Sequence, residues 1–305
     1  MTGLVTVAAA AAAVWAATAT AAESPRPEPA RPDSLPASWT SERVQIEEPV
    51  KAGMPIRITN PIGNVQVRRV RDPRFVVFAT VQRQDGTPVP EFRIRRSPVL
   101  GLTVEPPAAA AGTDAEPGTS TPRRAACRAD LAVFVPDGSA LQVETTQGSI
   151  TVKGIRCDVE AATAGGAIEV FADGPVRAAT RGGDITVIFR TAARWTHDMN
   201  LASETGNIAV RMPRPADSRV HIETGGDLTS DFTTRVRQPV DSRLKTADIR
   251  VADGESGSRG FWSRAGRRLL HPFRRTPRLT IRTEIGSVKV LRAPPGWLGV
   301  QEDLP

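Results

Sequence analysis

Between Val44 and Val104 apolar and polar residues alternate, as in Ile56-Arg57-Ile58, Val65-Gln66-Val67 and Phe75-Val76-Val77-Phe78. A period of two predicts strands with one face buried. The pattern resumes at Leu131. There Ala132-Val133-Phe134-Val135 runs into Pro136-Asp137-Gly138, a strand closed by turn residues. One motif then recurs: TTQGSITV from Thr145, TAGGAIEV from Thr163, TRGGDITV from Thr180, SETGNIAV from Ser203, ETGGDLTS from Glu223 and TEIGSVKV from Thr283. An isolated early copy, NPIGNVQV, begins at Asn60.

Each copy reads glycine, a small or turn-forming residue, an aliphatic residue, any residue, and usually Val. Gly148, Gly166, Gly183, Gly206 and Gly226 lie 18, 17, 23 and 20 residues apart; Gly63 and Gly286 anchor the outlying copies. A period near 20 residues is the sequence mark of a repeat architecture. Gly turns a corner without a Cβ clash, and Ser, Asn or Asp beside it can bond the turn backbone. Two aliphatic residues one place apart then share a strand face. A second short strand lies between units, as in Asp158–Ala162 and Pro175–Ala179. One unit cannot bury its own apolar face, but units stacked at about 4.8 Å would share a continuous core. The expected fold is all-β, a solenoid-like stack of short strands. An antiparallel sandwich of hairpins is the alternative. The run from Leu131 to Val210 carries no amphipathic helical stripe.

Composition fits this reading. Hydrophobic residues make up 40% of the 305, aromatics only 5%, and Tyr is absent, so the core must come from Val, Ile, Leu and Ala. The opening MTGLVTVAAAAAAVWAATATAAESP is an apolar run ending in small residues, the pattern of a secretory signal, with cleavage expected near residue 22. No Cys follows that run to accept a lipid, and no later segment reaches the roughly 20 apolar residues of a membrane helix. An extracytoplasmic protein, periplasmic or secreted, is therefore expected.

The run FVPDGSALQVETTQGSITVKGI and the repeated T-x-G-G-[AD]-I-x-V resemble the bacterial β-strand-repeat domains known as candidate adhesins, domains of unknown function. GGDLTSDF, residues 225–232, and LTIRTEIGSVKV, residues 279–290, resemble that family's closing units. The resemblance runs from about Ala129 to Arg292. It implies an extracytoplasmic solenoid-like fold and no catalytic residues. Family members pass from the SDF-like segment to the last unit through a short glycine-rich turn, whereas this chain carries a basic insertion there.

The expected organisation is a signal at 1–22, a Pro- and Ser-rich tether at 23–43, an N-terminal β segment at 44–104, and a linker at 105–126. A repeat domain at 127–293, with its insertion at 254–278, and a tail at 294–305 follow. The segment 44–104 is a candidate cap for the stack.

The insertion holds Arg259, Arg264, Arg267, Arg268, Arg274, Arg275 and Arg278, and those seven equal the whole net charge of +7. Phe261, Trp262, Leu269, Leu270 and Phe273 are interleaved with them. Arg with aromatic residues suits an anionic lipid surface, an acidic envelope polymer or a membrane-protein partner; the bland reading is a solvated loop. Nucleic acid is not expected outside the cytoplasm. Cys127 and Cys157 could form a disulfide in an oxidising compartment.

Catalytic chemistry has little footing. His197, His221 and His271 are scattered, with none at metal-ligand spacing. There is no nucleophile elbow and no phosphate loop. Asp184 and Asp227 occupy the same place in their units, so stacking could align carboxylates with Glu169 as in a glycan-active solenoid enzyme, but Asp beside Gly is also ordinary turn chemistry. The expectation is a non-enzyme without cofactor or metal. It would have a structural, adhesive or binding role, or sense through the insertion.

Overall fold

Alternation and glycine corners build strands throughout. The computed structural model describes residues 39–51, 53–96, 98–105, 127–192, 195–213, 217–238, 243–252 and 276–294, which lie in a unit spanning 37–305. In chain order the strands are β1 (Trp39–Pro49), β2 (Ile56–Ile62), β3 (Val65–Val70), β4 (Arg74–Gln84), β5 (Glu91–Arg96), β6 (Leu100–Glu105) and β7 (Cys127–Pro136). There follow β8 (Leu141–Gln147), β9 (Ile150–Ile155), β10 (Val159–Gly165), β11 (Ile168–Ala172), β12 (Val176–Gly182), β13 (Ile185–Phe189) and β14 (Met199–Ser203). The last are β15 (Ile208–Met212), β16 (Asp217–Thr224), β17 (Leu228–Ser230), β18 (Thr234–Arg237), β19 (Lys245–Ala252), β20 (Arg278–Thr283) and β21 (Val288–Arg292). No helix is present among the described residues.

The strands form two sheets. Sheet A runs β1-β4-β7-β3-β9-β11-β13-β15-β21-β17, and sheet B runs β18-β19-β16-β20-β14-β12-β10-β8-β2-β6-β5. From β6 and β7 to β16 and β17 neighbouring strands are parallel. Each coil puts one strand in sheet B, turns at its glycine, and puts the next in sheet A. This is the solenoid expectation; a meander of hairpins would be antiparallel here.

Parallel register stacks like on like. Val67, Val152, Val170, Val187, Val210 and Val290 form one buried column, and Val65, Ile150, Ile168, Ile185, Ile208 and Val288 form another. From sheet B, Ile58, Val143, Ala161, Ala178, Leu201, Ile281 and Ile222 face them. Each fully buried Val or Ile contributes roughly 2 kcal/mol. The long interval between Gly183 and Gly206 also has a cause. Its extra residues carry Trp195 into the core, edge-on to Phe189 at 4.8 Å between ring centroids.

The order of coils departs from the order of the chain at both ends. The Gly63 coil, β2 with β3, lies between β6 with β7 and β8 with β9. The Gly286 coil, β20 with β21, lies between the Gly206 and Gly226 coils. The 20-residue interval from Gly206 to Gly226 is therefore not a stacking contact, and β2 and β3, from residues 44–104, form a working coil of the same stack. β1, moreover, begins at Trp39, inside the stretch read as tether. β1, β4 and β5 end the stack as antiparallel strands, as β18 and β19 do at the far end. Short or charged edges such as TRVR in β18 discourage further pairing.

No disulfide joins Cys127 to Cys157. Cys127 opens β7 beside Arg83, whereas Arg156, next to Cys157, donates to Asp137 just beyond the other end of β7. The length of a ten-residue strand separates them, about 30 Å at 3.3 Å per residue, far outside disulfide reach. Burial pushes the Cys127 thiol above its ordinary value, with the Arg83 charge pulling the other way. A thiol reagent at neutral pH should label half-buried Cys157 first and Cys127 only on unfolding; mass spectrometry would read the sites, and equal rates would contradict the placement.

A Cβ built on Gly183 would overlap the carbonyl of Gly166, while one on Gly182 would meet only Thr205 Oγ1 at 3.8 Å. Gly183→Ala should therefore cost about 3 kcal/mol, lowering Tm by about 8 °C. Gly182→Ala should leave Tm unchanged or raise it. Thermal unfolding of the two variants checks the contrast.

Candidate functional site

The glycine corners form a single column. Cβ atoms built on Gly63, Gly148, Gly166, Gly183, Gly206, Gly286 and Gly226 would each collide with the backbone carbonyl of the coil before, Ala129 serving as the first step. That close approach brings the preceding carbonyl within reach of a side chain. Thr163 Oγ1 donates to Gly148 O at 3.1 Å, Thr180 to Gly166 at 3.2 Å, Ser203 to Gly183 at 3.1 Å, Thr283 to Gly206 at 3.0 Å and Thr224 to Gly286 at 2.8 Å. Asn60 Nδ2 begins the series on Ala129 O at 2.8 Å. All these polar side chains are buried. The recurring Thr or Ser of the motif is thus an internal fastener.

A second ladder runs outside it. The N–H of Asn64 donates to Asp130 Oδ1, that of Ser149 to Asn64 Oδ1, that of Asn207 to Asp184 Oδ1 and that of Ser287 to Asn207 Oδ1. This accounts for Asp184, a turn acceptor that also takes the Asn207 side-chain amide at 3.2 Å. Asn207 and Ser287 stand between Asp184 and Asp227, a separation of three strand spacings or about 14 Å. Stacking does not bring the candidate carboxylates together, and Glu169 points outward from β11.

The opposite corner carries charge. Asp137 accepts from Arg69 at 3.5 Å and Arg156 at 3.1 Å, and Asp173 takes both arms of Arg190 at 2.9 and 2.8 Å. Arg156 also approaches Asp173 at 3.9 Å, so Arg69, Asp137, Arg156, Asp173 and Arg190 form one chain of contacts between opposite charges. At the exposed cap, a hydrogen bond from Arg74 lowers the Asp72 carboxyl below its ordinary value, and one from Arg93 does the same for Glu91.

Two outer faces remain. On sheet A one row in register reads Phe134, Arg68, Lys153, Phe171, Ile188, Arg211 and Leu291. Lys153 Nζ sits 5.3 Å from the Phe171 ring centre. The neighbouring row adds Gln66, Thr151, Glu169, Thr186, Ala209 and Lys289. From β3 to β21 this face holds Arg68, Lys153, Arg211 and Lys289 against the single carboxylate of Glu169.

Sheet B has a mixed face. A shallow groove of about 550 Å³ has Ala162, Ala179 and Ala202 as its floor, with Glu144, Glu204, Glu284, Arg181 and Arg282 around it. A hollow of about 240 Å³ lies nearer β2. There His197 Nε2 meets Asp158 Oδ2 at 2.7 Å and Nδ1 meets Thr196 at 2.9 Å. His221 bridges Asp248 at 2.8 Å and Glu223 at 3.4 Å. The Asp158 and Asp248 partners are remote in sequence from their histidines, which hides these pairs in the chain order, whereas Glu223 shares β16 with His221. No cluster of three or more metal-ligating side chains is present among the described residues.

The expected docking residues Arg259, Phe261, Trp262, Arg264, Arg267, Arg268, Arg274 and Arg275 lie outside the described residues, as do the signal and the 105–126 linker apart from Glu105, which ends β6. Arg278 is described: it opens β20, and its N–H donates to Asp198 Oδ1 at 2.9 Å. The insertion leaves at Ala252 and returns at Arg278. Those residues pair with Asp217 and Arg219 on opposite sides of β16, about 10 Å apart.

No family model and no curated protein matches the chain. Solved bacterial structures similar to this chain at low identity include the following three. A candidate cell adhesion protein from Clostridium sporogenes ATCC 15579 is 9% identical, covering 83% of this chain and all of its own, with a TM-score of 0.44. A candidate adhesin from Bacteroides fragilis NCTC 9343 is 10% identical over 82% of this chain and 97% of its own, TM-score 0.26. One from Parabacteroides distasonis ATCC 8503 is 9% identical over 84% and 97%, TM-score 0.20.

The hydroxyl ladder gives a direct test. Thr180→Val should leave the Gly166 carbonyl without its donor and cost about 1–2 kcal/mol, while Thr180→Ser should recover most of it. Chemical denaturation of both variants reads the difference.

Proposed function

We propose that this chain is a non-catalytic, extracytoplasmic module of the bacterial envelope that binds an acidic polymer laid along the outer face of sheet A. One observation carries the reading. Arg68, Lys153 and Arg211 stand in register on one row, with Lys289 on the next, and only Glu169 opposes them between β3 and β21. The row runs along the stacking direction, so a linear polyanion can follow it. Phe171 beside Lys153 and Phe134 beside Arg68, both half-buried, supply apolar contact for sugar rings. Sheet B offers no such bias, since Glu144, Glu160, Glu204 and Glu284 are mixed there with Arg177, Arg181 and Arg282.

Support for a non-catalytic role comes from how the acidic side chains are used. Asp184 bonds the Asn207 turn of the next coil, Asp173 takes a bidentate Arg190, and Asp137 takes two arginines. The apolar, small-residue N-terminus favours export.

Binding to polygalacturonate, with dextran as the neutral control, tests the reading. The wild-type chain should bind the acidic polymer, and added salt should weaken it. Lys153→Glu with Arg211→Glu should weaken binding about tenfold or more. Deleting residues 258–276 should preserve the stack, since both ends of the insertion flank β16, and should leave polygalacturonate binding largely in place. Loss on the deletion but not on the double charge reversal would move the function to the insertion and reject the face.

A further inference from the structure

We propose that the chain forms a symmetric dimer through β1, pairing antiparallel with β1 of a second copy. β1 is the outermost strand of sheet A and, at 11 residues, equals β4 as the longest in the structure. One side is fully paired with β4, from Trp39 against Gln84 to Pro49 against Arg74. The other side has no neighbour among the described residues. Sheet A also runs one strand further past the first coil than sheet B does: β4 and β1 lie beyond β7, while only β5 lies beyond β6. The open edge of β1 is therefore not shielded by sheet B.

The backbone dictates which residues would pair. Val50 N–H donates to Pro73 O, so the even-numbered residues of β1 turn their N–H groups toward β4. The odd ones, Ser41, Arg43, Gln45 and Glu47, present N–H and C=O to the open side. Pro49, which has no N–H to offer a ladder, falls on that same side.

Side-chain charge then selects the register. Centring the two-fold on Gln45 sets Gln45 opposite Gln45 and Arg43 opposite Glu47, twice. Shifting the centre to Arg43 or to Glu47 would face like charges, and centring on Val44 or Ile46 leaves Arg43 opposite Gln45 or Pro49. Arg43 makes no ion pair among the described residues, and exposed Glu47 is held only by Gln45 Nε2 at 2.8 Å and Arg74 at 3.4 Å, whereas Glu42 and Glu48, which meet on the other face, are held by Arg83 and Arg96. On that inner face Val44 and Ile46, both only partly buried against the core, would cover each other across the junction. Closed two-fold pairing of one edge with itself also removes the edge.

Sedimentation velocity of the full chain at micromolar concentration tests this. The wild type should dimerise. Arg43→Glu and Glu47→Arg should each weaken the dimer about tenfold or more, since both symmetry-related contacts become like-charged. The double variant Arg43→Glu/Glu47→Arg should regain wild-type association. A monomeric wild type, or a double variant that fails to recover, would overturn the proposal. A second measurement avoids charge changes. In a Cys157→Ser background, Gln45→Cys should oxidise to a covalent dimer, because facing residues of such a pair stand about 5.5 Å apart. Ser41→Cys should not, lying eight strand residues from its own symmetry mate. Crosslinking at 41 in place of 45 would contradict the register.

Discussion

Everything in this molecule rests on how closely one coil's backbone approaches the next at the glycine corner. The carbonyl of each corner sits where the following corner's Cβ would be, so a side chain there is sterically forbidden. Contact at this distance lets a buried Thr or Ser hydroxyl reach the same carbonyl, so the corner is bonded internally rather than by water. Once the corners are fixed, parallel register follows. The Val and Ile columns then fall into line and the outward residues are presented as straight rows.

Regular stacking also separates structural chemistry from functional chemistry. The two corners absorb many of the polar groups: hydroxyls and amides on the glycine side, and alternating Arg and Asp on the other. What is left for recognition is the pair of outer faces. Because strands are spaced evenly, each face is a ruled surface on which charge repeats along the stack. A chain with nearly balanced charge outside its insertion can still show a cationic sheet A and a mixed sheet B, since the two outer faces are drawn from different strands of each coil. The edge of β1 adds a third kind of surface, where recognition uses the backbone and two charges.

Much of the fold was legible in the sequence. Period-two alternation gave the strands, and Gly148, Gly166, Gly183, Gly206 and Gly226 gave the corners. The order of coils was not legible. Every coil offers its neighbour the same aliphatic pair and the same glycine, so the motif cannot say that the Gly286 coil rather than the Gly226 coil rests on Gly206. Residues 106–126 separate β6 from β7 in sequence, and 253–277 separate β19 from β20, so chain order does not fix stack order. The outer rows were hidden for a related reason: Arg68, Lys153 and Arg211 are 85 and 58 residues apart in sequence and align only through register. The cysteines show the opposite failure, close in sequence yet set apart by the length of β7.

The interleaved stack can be tested by disulfide trapping in a Cys157→Ser background. Ala209→Cys with Lys289→Cys joins outward residues on adjacent strands β15 and β21, whereas Ala209→Cys with Thr229→Cys spans two strand spacings. Rapid oxidation of the first pair and none of the second is the predicted result. Trapping of 209 with 229, and not with 289, would mean the coils stack in chain order and would contradict the account.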